Sequence, residues 1–200
     1  MMPFKLSRDL ILGMALVALT GVVYLRFPAF ASLESLLGVF NDTSILIILA
    51  LGQMAVILTR CIDLSMASNL ALVGMCTAML NASAPELPIP LLVCIAVILG
   101  ALLGSINGLL VWKLDMPPIV VTLGTLTIFR GLIFLLSDGQ WVNAHEMSPS
   151  FKALPRTVFL GLPILSWVAL TSIVCLYTLL TRTPLGRSFY AVGGLSLIHI

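Results

Sequence analysis

Six stretches of this chain, at 9–26, 43–59, 64–80, 90–112, 117–136 and 161–180, run for 17 to 23 residues with almost no charge. A helix rises about 1.5 Å per residue, so about 20 apolar residues cross a hydrocarbon core. In lipid every backbone N–H and C=O must be satisfied within the protein, which leaves helices or closed barrels. A barrel would alternate apolar and polar residues in units of about ten. Runs such as Ile45 to Ala50 and Leu91 to Leu99 do not alternate. The expectation is an all-α, polytopic transmembrane bundle with about six spans. Charged residues make up 9% of the chain and hydrophobic residues 60%. Soluble domains carry roughly 25% charge, so neither a water-facing globule nor a disordered chain fits. The net charge of +2 is too small and scattered for nucleic acid.

Charge placement sets the expected orientation. With Lys5 and Arg8 in the cytoplasm, six spans put Arg60, Lys113, Arg182 and Arg187 on the same side, and Arg26, Lys152 and Arg156 outside. That excess agrees with the positive-inside rule. The expected location is a bacterial inner membrane, multi-pass, with the lipid bilayer as solvent. The linkers are expected to be short except at 27–42 and 137–160. Lys5 and Arg8 followed by an apolar run and Ala29-Phe30-Ala31 also look like a cleaved signal. The run is long for that role and five more spans follow, so a retained first helix is the preferred reading.

Chemistry-bearing residues are sparse. Cys61, Cys76, Cys94 and Cys175 lack paired ligand spacing and read as small apolar residues. No catalytic constellation or phosphate loop can be assembled from neighbouring positions. No catalytic residue, cofactor or metal is expected, and any nucleotide chemistry falls to a partner.

Several residues inside the apolar runs stand out. Gly100, Gly104 and Gly108 share one helix face, and Gly124, Thr127 and Gly131 form a second small stripe. Such stripes let helices approach closely in lipid. Asp63 and Ser65 lie in a junction with almost no linker and are good N-cap candidates. That junction is either a tight turn or a broken helix lining a path. Asp115-Met116-Pro117-Pro118 reads as a helix start. Arg130 is the one ionisable residue well inside a span and must face protein or water, or snorkel. With Gln53, Asn69, Asn107, Thr122 and Thr125, it completes a set of candidates to line a path, where these groups hydrogen-bond either a polyhydroxylated solute or simply one another.

Three ordered blocks then coincide with one family. Gly52-Gln53-Met54-Ala55-Val56-Ile57-Leu58 with Cys61-Ile62-Asp63-Leu64-Ser65 resembles a signature of sugar ABC importer permeases of the ribose, xylose, rhamnose and autoinducer-2 type. Asn107-Gly108-Leu109-Leu110-Val111, Pro117 to Thr125 and Arg130-Gly131 resemble its next block, and Thr183 to Gly194 the loop after it. Arg60-Cys61 stands where many members carry Gly-Gly. Residues 59–61 and 141–149 look most like rhamnose permeases.

The resemblance implies a permease subunit moving a monosaccharide, with rhamnose the first choice. It implies an ABC ATPase subunit, a second permease chain (identical or not) and a periplasmic sugar-binding protein as partners. Arg182, Thr183, Gly186, Arg187, Gly193 and Gly194 would form the ATPase-coupling loop. It also implies that residues 1–194 are the N-terminal part of a longer permease domain. The tail 195–200 matches nothing in the pattern and is expected to be a truncation artefact. An ion-coupled secondary carrier is the alternative, with Asp63 its weak ion-site candidate.

Overall fold

The computed structural model describes residues 8–194, so Lys5 and the 195–200 tail lie outside the described residues. The long helices are α1 (Arg8–Arg26), α2 (Leu33–Leu58), α3 (Met66–Ser83), α4 (Ile89–Lys113), α5 (Pro118–Ser137) and α7 (Ile164–Arg182). Two short ones are α6 (Pro149–Ala153) and α8 (Pro184–Gly194). Each of the six expected windows holds one of the long helices, although α3 starts at Met66 and α7 at Ile164, inside their windows. Four helices, α2, α4, α5 and α7, are long and apolar enough to cross a membrane. In α1 the apolar part is shorter, Leu10–Arg26. Helix α3 carries Ser68, Thr77 and Asn81 buried inside the bundle, which lowers its hydropathy. The fold is therefore the helical polytopic one expected from the sequence.

Two expected loops are largely structured. The 27–42 linker holds a single 3-10 turn at Pro28–Ala31, after which α2 starts at Leu33. Glu34, Asn41 and Asp42 break the apolar window there but not the helix. The glycine-rich 183–194 segment, expected as a loop, is the helix α8. Between α5 and α7, α6 is followed by a two-stranded antiparallel ladder, β1 (Val158–Phe159) and β2 (Leu162–Pro163). Its two-residue turn has Leu160 at φ 48° and Gly161 at φ 81°, a type I′ geometry that matches strand twist.

The chain divides into two units, Met1–Ser44 and Ile45–Ile200. In the first, α1 runs into the 3-10 turn and the start of α2. In the second, α3, α4 and α5 pack together around Leu72, Leu103 and Phe129. Two prolines start α5, with Pro117 at its N-cap, as Asp115-Met116-Pro117-Pro118 predicted. Where α3 meets α4, Gly100 lets the neighbouring helix in: a Cβ there would sit 3.7 Å from Val73 Cγ2. Cβ atoms at Gly104, Gly108, Gly124 and Gly131 would meet nothing within 4 Å among the described residues. Of the five stripe glycines, Gly100 alone is at a helix contact there.

Candidate functional site

The junction between α2 and α3 turns sharply because Thr59 and Arg60 close short backbone bonds onto Val56 and Ile57. Arg60 adopts φ 60°, the left-handed region that costs a side-chain-bearing residue roughly 1–2 kcal/mol. Asp63 then accepts two hydrogen bonds at Oδ1, from Ser65 N (2.8 Å) and Ser65 Oγ (2.7 Å). Ser65 occupies the N-cap position of α3, but its side chain does not cap the helix. Its hydroxyl is committed across the bundle instead, accepting from Asn107 Nδ2 on α4 at 2.7 Å. Thr122 at the start of α5 donates to Pro118 O (2.9 Å), with a longer contact to Ile62 O (3.4 Å). One fully buried hydroxyl, Ser65, thus ties the α2–α3 junction to α4.

Proton counting fixes the direction of this chain of bonds. A carboxylate only accepts, so the Ser65 proton goes to Asp63. Ser65 Oγ must then accept, and Asn107 must present its N–H. That leaves Asn107 Oδ1 buried with no partner among the described residues. Beside these groups lies a cavity of about 210 Å³, lined among others by Cys61, Asp63, Gly104, Asn107, Gly108 and Thr122.

The remaining path candidates are dispersed. Asn69 Nδ2 donates to Gly100 O at 3.4 Å, a reach made possible by the missing side chain at Gly100. Thr125 is buried and donates back to Val121 O at 3.1 Å within its own helix. Gln53 is half-buried on α2. Arg130 is exposed and lines a larger, mostly apolar cavity of about 580 Å³ with Met75, Ala78, Phe134 and Trp141. Asp63, Ser65, Asn107 and Thr122 therefore come together at one end of the bundle. Arg130 stands apart from them.

A pair not anticipated from the sequence sits at the other end of α3. Asn81, fully buried, donates from Nδ2 to Ser148 Oγ (3.0 Å), and its Oδ1 accepts from Ser148 N (2.8 Å). Ser148 Oγ also accepts from Phe151 N, capping α6. The two residues are 67 positions apart. Only the Ser-Pro start of a helix and an asparagine ending an apolar run hint at them.

The corner between α7 and α8 is equally specific. Thr183 Oγ1 donates to Leu179 O (2.6 Å) and accepts from Gly186 N (3.1 Å), capping α8 with Pro184 in its first turn. Gly186 is buried, and a Cβ there would run into the carbonyl oxygens of Leu179 and Leu180. A Cβ on Gly193 would run into the carbonyl oxygen of Leu58. Both glycines permit backbone to lie on backbone. A Cβ on Gly194 would meet nothing within 4 Å among the described residues, and Arg182 and Arg187 are exposed.

Residues 35–195 match the family described as the permease component of branched-chain amino acid transport systems. The chain is 39% identical over 187 residues to the autoinducer 2 import system permease protein LsrC of Enterobacter sp. (strain 638), covering 94% of this chain and 53% of that protein. It is 38% identical to its namesake from Klebsiella pneumoniae, with 94% and 53% covered. Against that of Photorhabdus luminescens the identity is 34%, with 94% and 55% covered. The chain spans about half the length of the curated relatives it matches. No solved structure matches it.

Proposed function

The chain belongs to the permease family of branched-chain amino acid transport systems, and from that premise we propose that it serves an ATP-driven, binding-protein-dependent importer of a small sugar-like solute. The observation that carries this reading is α8. Backbone contacts at Gly186 seat it on α7, and those at Gly193 seat it on the end of α2. Leu185, Arg187 and Tyr190 remain exposed on it. A short rigid helix held in that way suits docking by a separate ATPase subunit, with Arg187 available for charge-assisted hydrogen bonds. A second permease chain completes the path, and the 138–163 connection is the contact for a binding protein. In this reading α8, the Asp63–Asn107 end of the bundle and the N-terminus all face the cytoplasm of a bacterial inner membrane.

For the solute, the relatives' names favour autoinducer 2, and the residues around 59–61 and 141–149 that resemble rhamnose permeases make L-rhamnose the comparison. The test is uptake by cells carrying the chain with its full downstream coding sequence and partner subunits. Autoinducer 2 uptake should stop on ATP depletion and persist when the proton gradient is collapsed, and excess L-rhamnose should not compete. Gly186→Pro should abolish uptake with membrane insertion intact. Uptake that follows the proton gradient and ignores ATP would make the protein an ion-coupled carrier instead.

A further inference from the structure

Asn107 is 6% exposed, its amide nitrogen is spent on Ser65, and its Oδ1 is buried without a partner among the described residues. An unpaired buried carbonyl forfeits the hydration it had in water. The polar groups around it offer little relief. Asp63 is acceptor-only, the Ser65 proton is given to Asp63, and the Thr122 proton to Pro118 O. Space for a donor exists on the side where Asn107 lines the 210 Å³ cavity. Water occupies about 30 Å³ in the liquid, so a cavity of that volume holds several waters or one small solute.

We infer that this cavity is a station for neutral solutes that donate hydrogen bonds, hydroxyl compounds above all, and that it rejects anions. Its polar wall offers acceptors and one carboxylate. A hydroxyl donates to Asn107 Oδ1 and relieves the orphaned group. A carboxylate group brings no donor, and a carboxylate or phosphate meets Asp63 as a like charge. The inference rests on the transport reading for its purpose, and it adds a charge and donor requirement that the reading does not contain. Gly104 and Gly108 keep the space open, since side chains there would enter it without meeting another atom within 4 Å at Cβ.

Cys61 lines the same cavity as a free thiol and serves as a reporter. Cys76, Cys94 and Cys175 are replaced by Ala, and the chain is placed in lipid nanodiscs. Labelling of Cys61 is timed with a cationic trimethylammonium-ethyl and an anionic sulfonatoethyl methanethiosulfonate, each normalised to its rate with a free small thiol. The cation should react at least roughly fivefold faster, a ratio that falls towards unity in Asp63→Asn. D-ribose should slow labelling, and D-ribonate, an open-chain anionic relative, should not. Asn107→Leu should remove the protection by ribose. Gly104→Leu fills the space, touches no hydrogen bond and should block labelling, which keeps the test decisive if Asn107→Leu does not fold. Equal normalised rates, an unreactive Cys61, protection by ribonate equal to that by ribose, or ribose protection surviving Asn107→Leu would each overturn the inference. Labelling reads the cavity alone and uptake reads ATP-driven import, so the two readings fail separately.

Discussion

Replacing Gly186 with Ala adds one methyl group where the chain has no room for it. The atoms it would strike are the carbonyl oxygens of Leu179 and Leu180 and the Cα of Leu180. All are backbone, so no rotamer change relieves the overlap, and the α7–α8 corner must open. Overpacking of this kind costs typically 1–3 kcal/mol, and a rigid backbone neighbour puts the cost near the upper end. Alanine recovers up to about 1 kcal/mol as a better helix former. The net is a loss of about 2 kcal/mol in the docking of α8, or roughly a 30-fold larger opening constant. Hydrogen exchange of the α8 amides, followed by mass spectrometry in nanodiscs, reads that constant directly. Gly194→Ala in the same helix is the control, because a Cβ there meets nothing within 4 Å among the described residues. It should leave exchange unchanged or slow it. Exchange in Gly186→Ala within about twofold of the parent would refute the claim that this glycine is held by backbone contact.

Two further perturbations follow from the geometry. Asn81→Ala strands the Ser148 N–H in a buried site while its Oγ keeps the bond from Phe151 N, costing about 1–3 kcal/mol; limited proteolysis of the 138–163 connection should accelerate, and a double-mutant cycle with Ser148→Ala should show coupling above about 0.5 kcal/mol. Leu160→Asn should raise thermal stability by about 0.5–1 kcal/mol, because asparagine tolerates the left-handed φ of 48° that leucine holds in the β1–β2 turn; a lower melting temperature would contradict the turn assignment.

The spans were legible in the sequence because lipid imposes a length and a polarity that a window of residues carries by itself. What depends on two distant segments was not. Asn81 and Ser148 each look ordinary alone, and only the fold brings them together. Asp63 and Ser65 were readable as a helix start, but the partner that takes the Ser65 hydroxyl, Asn107, lies 42 positions away. Helix α8 was hidden by its own glycines. Gly186 and Gly193 suggest a flexible hinge in one dimension, and in three they are the places where a helix lies directly on backbone. The start of α2 was missed for the opposite reason. Glu34, Asn41 and Asp42 interrupt an apolar window, but a helix tolerates them.

Helix α7 is pinned at both extremities. At Thr183 it is welded to α8, and near its beginning Trp167 donates from Nε1 to Phe159 O at 2.8 Å in the small hairpin. Its 19 residues make a rod of about 28 Å. Joined at each end in this way, α7 ties the position of α8 to that of the hairpin.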